Sequence, residues 1–478
     1  MADTTTGNVQ DRPSNRELAE GDNKDGKFDS NELDRYITAQ NRVAPAILSG
    51  LRSEERTARL DAATKLHRLV EMQQTGANQP IIDSGILRDI VNLVSLDEVD
   101  LHVHLSAVLS SIVAGSSEQA SAAVELGAIQ KFILLASSST SDQAREKALI
   151  ALGNIGVEPL KLRAILIGEG GVNPLLEILA NPSKHQGRHM YWAATALENI
   201  TYSLKPKSIG YEVTWDIIPV LAKYIEYQTI EKAGSLKASL SALGHILSTN
   251  STIDTTLQTN IVPRLVQLCS AQRLSTRRLA LRCVAIILAG SDEGTDRFVD
   301  AGIIGAIKPC ITSESRRDRR RSCWAASNIA VGALQHAKAL MAAGFVPPLV
   351  KVVSDPGEDP ETRGNAAWAL ASLAHDWGRY NHEILETLLG DNCVDGFLSA
   401  LVLKDHDVVE RLLRSILAFL ETQWDGRGRA IEMFGTPERV ALLRAFKLRP
   451  EPELVHQRIV AHEILKMHLK EFSLPPRV

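Results

Sequence analysis

The feature that most constrains this chain is a turn signal that recurs about every 43 residues along it. A glycine-type turn and an apolar run begin at Gly85, Gly127, Gly171, Asn260, Gly302 and Gly344, with weaker copies at Asp216 and Cys393. A fixed period of this length is typical of stacked arrays in which each repeat is one small helical unit. Because such an array presents one long face, the pattern favours binding of an extended partner over catalysis.

Composition agrees with stacked helices and excludes several functional classes. The chain is 44% hydrophobic but only 5% aromatic, and its net charge of -4 argues against a general nucleic-acid binder. No apolar run reaches the ~18 residues expected of a membrane span. No glycine-rich phosphate loop, nucleophile elbow or Cys/His cluster is present. The sequence therefore predicts no enzyme, no metal or other cofactor, and no membrane or nucleic-acid partner.

The cysteines indicate a reducing compartment. The five are Cys269, Cys283, Cys310, Cys323 and Cys393. None of their spacings suits a metal site, and no secretory apolar segment opens the sequence. We expect reduced, mostly buried thiols in a protein of the cytosol or nucleus.

The chain divides by composition into three parts. Residues 1–40 are polar and are predicted to be a mostly disordered arm, residues 41–472 carry the repeats, and residues 473–478 form a tail. In each repeat a short helix precedes the turn, a second helix follows it, and a longer alanine-rich third helix, such as 148–154, comes last. We predict an all-α, right-handed superhelical solenoid of about nine or ten repeats, with the third helices on the inner face.

Trp324 and Asn328 form the sharpest functional signal. Residues four apart project from the same face of a helix. An asparagine amide can both donate to and accept from a peptide main chain, and a tryptophan ring offers a flat wall for the side chain of lysine or arginine. One isolated pair would favour a packed core tryptophan. Within an alanine-rich third helix of a repeat array, we interpret the pair as one step of a ladder that binds an extended basic peptide.

The text around this pair resembles a known family. Residues 321–330 and 342–350, which read RSCWAASNIA and AAGFVPPLV, resemble an armadillo repeat of importin-α. Weaker similarity to the same family occurs at 151–155, 197–200, 280–284, 365–370, 438–443 and 453–456. The resemblance covers about residues 55–472. It implies an armadillo solenoid that binds nuclear localisation signals of cargo proteins and moves between cytoplasm and nucleus.

The resemblance implies two peptide grooves, and the matches in each are incomplete. The implied peptide-binding residues are Trp324, Asn328 and Trp368 in the late groove, and Asn154, Asn199 and Glu158 in the early groove. The early tryptophan positions hold Ala107, Ile150 and Thr195, while Ser111 stands at one early asparagine position, and Ile286 and Ser372 at two late ones. Two acidic positions of the late groove are Arg321 and Asn365. We therefore expect the late groove to be the better site, and basic signals to bind weakly because of Arg321.

The amino-terminal arm departs from the family in the same direction. Its resemblance to the start of an importin-β-binding segment rests on Gly26, Lys27, Phe28, Glu32, Leu33 and Arg35. The arginine run expected next is missing, so the sequence leaves open whether importin-β is a partner. The same stretch resembles an EF-hand loop, but Gly21 at its first position has no oxygen ligand, and no calcium site is predicted.

Two further interpretations stay open. The basic run 316–321 is taken as a solvated helix end in preference to a site for phosphate or an acidic peptide. The alternative to an import receptor is a divergent armadillo scaffold that no longer carries basic signals and binds acidic, phosphorylated or helical protein partners. The number of intact Trp–Asn pairs distinguishes the two functions, and one intact pair leaves both standing.

Overall fold

The computed structural model describes residues 36–37, 42–158, 160–202, 204–205, 208, 210–229 and 233–469. The arm residues that resemble an importin-β-binding segment lie outside this part of the chain. Tyr36 and Ile37 are buried, and Ile37 forms an isolated antiparallel bridge with Val43. No residue of the described ranges belongs to a β-strand, which agrees with the all-α prediction.

Contacts between residues divide the chain into two compact units, which are residues 1–151 and 152–478. The helices of the first unit are α1 Pro45–Leu51, α2 Arg56–Gln73, α3 Asn78–Asp83, α4 Leu87–Leu93, α5 Val99–Val113, α6 Ser117–Glu125 and α7 Ala128–Ser138. The boundary falls inside α8, Asp142–Val157. After α2, the predicted order of short, second and third helix appears as α3–α4–α5 and α6–α7–α8.

The second unit continues the same three-helix order. Its helices are α9 Leu160–Gly168, α10 Asn173–Ala180, α11 Gly187–Thr201, α12 Thr214–Tyr227, α13 Ala233–Ile246, α14 Asn250–Leu257, α15 Ile261–Cys269, α16 Leu274–Leu288, α17 Asp292–Asp300, α18 Ile303–Ile311, α19 Arg316–Val331, α20 Leu334–Ala342, α21 Val346–Ser354, α22 Pro360–Ser372, α23 His382–Gly390, α24 Cys393–Ala400, α25 His406–Glu421, α26 Arg427–Phe434, α27 Pro437–Lys447 and α28 Val455–Glu463. A 3-10 turn at Tyr211–Val213 stands where a first helix would precede α12. The third helices are α11, α13, α16, α19, α22, α25 and α28.

The turn before each second helix explains the sequence period. Gly127 and Gly302 have φ values of 90° and 88°, a left-handed conformation that costs glycine little. In one repeat this conformation belongs to Gly170, with φ of 80°, and the predicted turn residue Gly171 follows it. At the weak copy beside Cys393, the same conformation is held by Asn392. The period is therefore a backbone requirement at most of these turns, whereas the predicted turn residue Asn260, with φ of -88°, precedes its second helix without the left-handed conformation.

Neighbouring third helices approach closely where their residues are small. A Cβ atom on Gly156 of α8 would lie 2.6 Å from Cγ1 of Ile200 on α11. A Cβ on Gly153 would lie 3.2 Å from the Cα of Ala196. These distances agree with the prediction that small residues let third helices approach one another.

Side-chain caps fix where the late third helices begin. Ser315 accepts a hydrogen bond from the backbone N–H of Asp318 at the start of α19. Asp359 and Asp405 cap α22 and α25 in the same way. Because each cap satisfies a backbone donor that the helix itself cannot satisfy, the start of each helix is set locally. The register of the side chains on these helices follows from those starts.

All five cysteines are buried and unpaired by disulfides. Among the described residues, no single helix is both long and apolar enough to cross a membrane. Two helix pairs reach that length and composition together, but they are bent by 78° and 84°.

A candidate peptide-binding face on the third helices

Two rows of side chains run along the third helices of the second unit. The tryptophan row is Thr195, Lys237, Arg282, Trp324, Trp368 and Arg411. The asparagine row, four residues later on each helix, is Asn199, Ser241, Ile286, Asn328, Ser372 and Ser415. Residues at this spacing share a helix face, so each row presents one side chain per repeat.

Hydrogen bonds between adjacent third helices fix this register. Asn328 Nδ2 donates to the carbonyl of Ala285 at 2.8 Å, and Asn199 Nδ2 donates to the carbonyl of Gly153 at 3.1 Å. Ser415 Oγ donates to the carbonyl of Ala371 at 2.8 Å. In the α16–α19 and α22–α25 pairs the acceptor lies three residues after the tryptophan-row position of the preceding helix. The asparagine row therefore ties neighbouring repeats together before it meets any ligand.

Trp324 is half-buried in α19, while its neighbours Cys323 and Ala325 are fully buried. Part of the Trp324 side chain is therefore exposed, as a peptide-binding role requires. That ring is already stacked, because the guanidinium carbon of Arg321 lies 5.5 Å from its centroid. This is within the range of a cation–π interaction. The arginine predicted to repel a basic ligand thus lies over the aromatic wall itself.

The ring of Trp368 is also stacked against an arginine of the protein. The guanidinium carbon of Arg411 on α25 lies 4.3 Å from the Trp368 ring centroid. Arg411 Nη1 also donates to Ser372 Oγ at 3.1 Å and forms an ion pair with Asp376. Asp376 in turn lies 2.7 Å from Nδ1 of His375. The sequence interpretation missed Arg411, although the period of about 43 residues leads from Trp368 to position 411 as the next member of the row.

Arg282 is the tryptophan-row residue of α16. Its Nε atom is buried and has no hydrogen-bond partner, and its side chain makes no ion pair with any described residue. A Cβ on Gly244 would lie 3.8 Å from Arg282 Cδ, an ordinary van der Waals distance, so the arginine stem lies next to α13 at this glycine. Burial, and then the charge of Arg282, lower the pKa of His245 to about 3.

The early positions lack an aromatic wall of this kind. Thr195 is buried and its hydroxyl donates to the carbonyl of Tyr191 at 2.9 Å. Trp192 is half-buried, and its ring meets that of Tyr191 edge-on at 4.9 Å. Asn154 and Glu158 are half-buried and already interact with other groups of the protein. Asn154 lies on α8 and Glu158 directly follows it, and the two side chains are polar groups without an aromatic wall of the kind seen at Trp324.

In the first unit, the two early positions on α5 are also occupied by local structure. Ala107 is 6% exposed, and Ser111 Oγ donates to Asn78 Oδ1 at 3.0 Å. Ile150 of α8 is half-buried.

The basic run at the start of α19 is paired, although a solvated helix end was expected. Arg319 forms an ion pair with Glu358, whose side chain is only 3% exposed. Arg320 forms an ion pair with Glu361. Asp318, which is fully buried, accepts from Arg277 Nε at 2.8 Å. The run therefore joins α19 to its neighbours on both sides.

Comparison with known proteins gives the class of the chain. The family model of the Armadillo/beta-catenin-like repeat matches residues 335–375, which include α21, α22 and Trp368. A crystal structure of an engineered protein superposes with a TM-score of 0.74 over 88% of this chain and 98% of that one, at 24% identity. That likeness shows the fold alone. Together with the repeated three-helix order, these findings define an armadillo-repeat protein.

Sequence relatives narrow that class. The chain is 27% identical to importin subunit alpha-1a of Oryza sativa subsp. japonica over 64% of its own length and 57% of that protein. It is 27% identical to importin subunit alpha-3 of Arabidopsis thaliana, over 59% and 52% of the two chains. Importin subunit alpha-9 of Arabidopsis thaliana is 23% identical over 86% and 80%. The matches to alpha-1a and alpha-3 thus span a little over half of those relatives.

The chain is therefore an armadillo-repeat protein that resembles importin α subunits at 27% identity or less in these three comparisons. The prediction that it is not an enzyme agrees with the relatives named above, which are importin subunits.

Proposed function

We propose that this chain is an importin-α-like nuclear import adaptor that holds an extended segment of a cargo protein against its late third helices. The observation that carries the proposal is the half-buried pair of Trp324 and Asn328 on α19. Asn328 uses one N–H on Ala285, and its Oδ1 makes no hydrogen bond to a described residue. The amide is thus oriented by the protein and keeps an acceptor for a peptide main chain.

Cargo proteins with nuclear localisation signals are the partners that this function implies, with importin-β as a second partner and with passage between cytoplasm and nucleus. The relatives, which are importin α subunits, support this direction. In the early region, Asn154, Asn199 and Glu158 would add polar contacts to a peptide. We expect weak binding of basic signals, because Arg321 and Arg411 already cover the rings of the two tryptophans.

A pull-down of the full chain with a lysine-rich signal peptide, with and without importin-β, tests the proposal. Asn328→Ala and Trp324→Ala should each reduce capture of the peptide. Trp215→Ala is the matched control, since Trp215 is 39% exposed on a second helix, α12. Equal capture by the unaltered chain and both α19 variants would remove these residues from the site.

A second function is favoured by a specific observation. Both tryptophans of the late row are stacked by the protein's own arginines. This arrangement supports the alternative of a scaffold that no longer carries basic signals.

A further inference from the structure

We propose that the cavity between the ends of α27 and α28 binds a phosphate group carried by a segment of a partner protein. The cavity has a volume of about 350 Å³. It is lined by Arg444, Lys447, Leu448, His462, Leu465 and Lys466. Because none of these residues belongs to the face around Trp324 and Trp368, the inference is independent of the proposed import function.

Two helix ends form the cavity. α27 packs against α28 and against the π-helical turn Ile464–His468 that continues α28. Arg444 and Lys447 stand in the last turn of α27, and His462 stands in the last turn of α28. Lys466 belongs to the π-helical turn. The packing of these ends therefore brings basic side chains from two separate stretches of sequence to one cavity.

The basic side chains of the cavity have no partner within the described part of the chain. Arg444, Lys447 and Lys466 form no hydrogen bond and no ion pair with a described residue, and neither does His462. No carboxylate among the described residues lines the cavity. The cavity therefore carries positive charge that the described structure does not neutralise.

Neighbouring arginines of the same repeat are paired, in contrast. Arg439 on α27 forms an ion pair with Asp395 at 2.9 Å, and Arg449, just beyond α27, forms one with Glu451 at 2.7 Å. Glu463 lies on α28, but it forms no ion pair with the cavity cations and does not line the cavity. The arginines on either side of the cavity residues in sequence thus have carboxylates, and the cavity has none.

A cation near a helix end can also stabilise its own helix. The carbonyl end of a helix carries a partial negative charge, which favours Lys, Arg or protonated His in the last turn. That effect explains a basic side chain at each helix end taken alone. It does not explain why two helix ends bring Arg444, Lys447 and Lys466 to one cavity, where their charges repel one another.

A phosphate group fits this arrangement better than a carboxylate. A phosphorylated side chain carries about −1.5 to −2 charges at neutral pH and three strong acceptor oxygens, so it meets several cations at once. Arginine binds phosphate through two parallel N–H donors, and lysine binds it as a point charge. Arg444 and Lys447 supply one of each from α27, and Lys466 adds a second lysine from the turn after α28.

Apolar side chains at the cavity favour a protein segment over a free ion. Leu448 lines the cavity and is 79% exposed, and Leu465 is half-buried in its wall. Ile459 on α28 is 52% exposed. An apolar residue next to a phosphoserine would cover such side chains, whereas a free phosphate would leave them in water. Exposed carboxylates at Glu453 and Glu463 disfavour an anionic membrane surface, which would repel them.

The test uses the full chain and a fluorescent, otherwise uncharged peptide in which leucine follows one phosphoserine, beside the same peptide with serine. Anisotropy should show at least tenfold tighter binding of the phosphorylated form, with inorganic phosphate as a competitor. Arg444→Gln and Lys447→Gln should each weaken it by about fivefold to tenfold, the range expected for one charge-assisted contact. The matched control is Lys351→Gln, since Lys351 is exposed in the last turn of another second helix, α21.

Leu448→Ala separates the apolar contact from the charge. It should weaken the phosphorylated peptide several-fold and leave the inhibition constant of inorganic phosphate unchanged. Circular dichroism shows whether each variant is folded, and binding is compared among folded variants only. If half-buried Arg444 cannot be replaced without unfolding, the exposed Lys447 and Lys466 carry the test.

Equal binding of the phosphorylated and unphosphorylated peptides would overturn the inference, as would failure of the phosphorylated peptide to bind. Unchanged affinity in both Arg444→Gln and Lys447→Gln would remove these residues and the cavity with them. A lysine-rich signal peptide should bind Lys447→Gln and the unaltered chain equally well. The two proposals therefore fail separately.

Two other occupants are separate outcomes. Glu471 follows the cavity residues in the sequence and lies outside the described residues. If Glu471→Gln tightens the phosphorylated peptide several-fold, the chain's own segment occupies the cavity, and the assignment to a partner is wrong. If vesicles that contain a phosphoinositide bind with the same dependence on Arg444 and Lys447 while the phosphorylated peptide does not, a membrane replaces the peptide.

Discussion

Two pairs of neighbouring third helices, α8–α11 and α16–α19, share one interhelical hydrogen bond. Their other contacts differ. In both, an asparagine donates to a carbonyl of the preceding helix, from Asn199 at 3.1 Å and from Asn328 at 2.8 Å. In the α8–α11 pair, the two helices also pack closely at Gly156, where the missing side chain leaves space for Ile200. The α16–α19 pair is held by ion pairs to the buried Asp318.

This difference separates two kinds of constraint on one helix face. The asparagine side chain has a structural role within the array, so it can persist when ligand binding changes. The tryptophan row is more varied: it holds threonine in α11, lysine in α13, arginine in α16 and α25, and tryptophan in α19 and α22, and of these Arg411 of α25 also links its helix to α22. A change of ligand class is therefore expected to appear first in the tryptophan row.

The largest effect should come from the ion pairs at α16 and α19. Asp318→Ala leaves Arg277 and Arg278 without the carboxylate between them, and it should lower the free energy of unfolding by roughly 3–5 kcal/mol. Gly156→Ala, which overpacks the other pair against Ile200, should cost about 1–3 kcal/mol. Urea denaturation of both variants measures the two losses. A smaller loss for Asp318→Ala would show that glycine packing is the stronger of the two links.

A change of charge at position 321 should alter ligand choice. Like charges about 4 Å apart cost on the order of 1–4 kcal/mol between bulk-water and near-surface conditions. Arg321→Glu removes that repulsion and uncovers the Trp324 ring, so a lysine-rich peptide should bind at least several-fold more tightly. The gain should shrink at high salt.

Titration of a labelled lysine-rich peptide at two salt concentrations measures this effect. Arg88→Glu makes the same change in charge on an exposed second helix and is the control. If Arg321→Glu and the unaltered chain bind equally well, the guanidinium does not limit access of cations to the tryptophan.

Low pH should lower the free energy of unfolding through His245, whose pKa is affected by Arg282. Burial, followed by the charge of Arg282, lowers the pKa of His245 from 6.5 to about 3. The unfolded chain then binds the extra proton first, so stability is complete above about pH 6.5 and is lost as the pH falls toward 3. The expected loss is about 1.4 kcal/mol per pH unit within that window.

Unfolding midpoints measured at pH 7.5 and 5.5 check this prediction. His245→Gln should reduce the difference between the two midpoints, whereas Arg282→Gln should leave it nearly unchanged, because burial is the larger cause of the pKa shift and still holds the pKa of His245 well below its ordinary value. An unchanged pH dependence in His245→Gln would assign the acid sensitivity to other groups.

The smallest expected effect on stability comes from removing the asparagine side chain that donates to the preceding third helix in both pairs. Asn199→Ala and Asn328→Ala each remove one hydrogen bond to a buried backbone carbonyl, at a cost of roughly 1 kcal/mol. The two stability losses should be similar. Asn328→Ala should weaken peptide binding more than Asn199→Ala does, because Asn328 lies beside Trp324. Equal effects of both variants on binding would make the early helices an equal part of the site.

Much of the fold could be predicted from the sequence because the same local features recur in successive repeats. Turn glycines with positive φ, capped third helices and small residues at helix contacts each leave a mark in the sequence. The shift from Gly171 to Gly170 shows the limit of that reading, since two adjacent glycines satisfy the same backbone requirement. The bounds of the predicted arm and tail remain predictions.

The site was predictable only in part. The sequence and the resemblance identified Trp324, Asn328, Trp368 and Arg321, and their roles in binding remain predictions. Arg411 was missed because its importance depends on the ring beneath it, which belongs to a helix that starts some 46 residues earlier. The pairing of Arg319 with Glu358 was missed for the same reason, because burial of that carboxylate is a property of the folded array.

The stacking of Arg411 also has a consequence for the rate and strength of binding. An arginine side chain loses about 2 kcal/mol of rotamer entropy when it is fixed. Arg411 is fixed on folding by the Trp368 ring, the Ser372 hydroxyl and the Asp376 carboxylate. A ligand that meets it encounters a side chain that is already ordered, so this part of the entropy cost of association is absent. Arg282 has no such partners among the described residues, so a ligand must order it at the moment of binding.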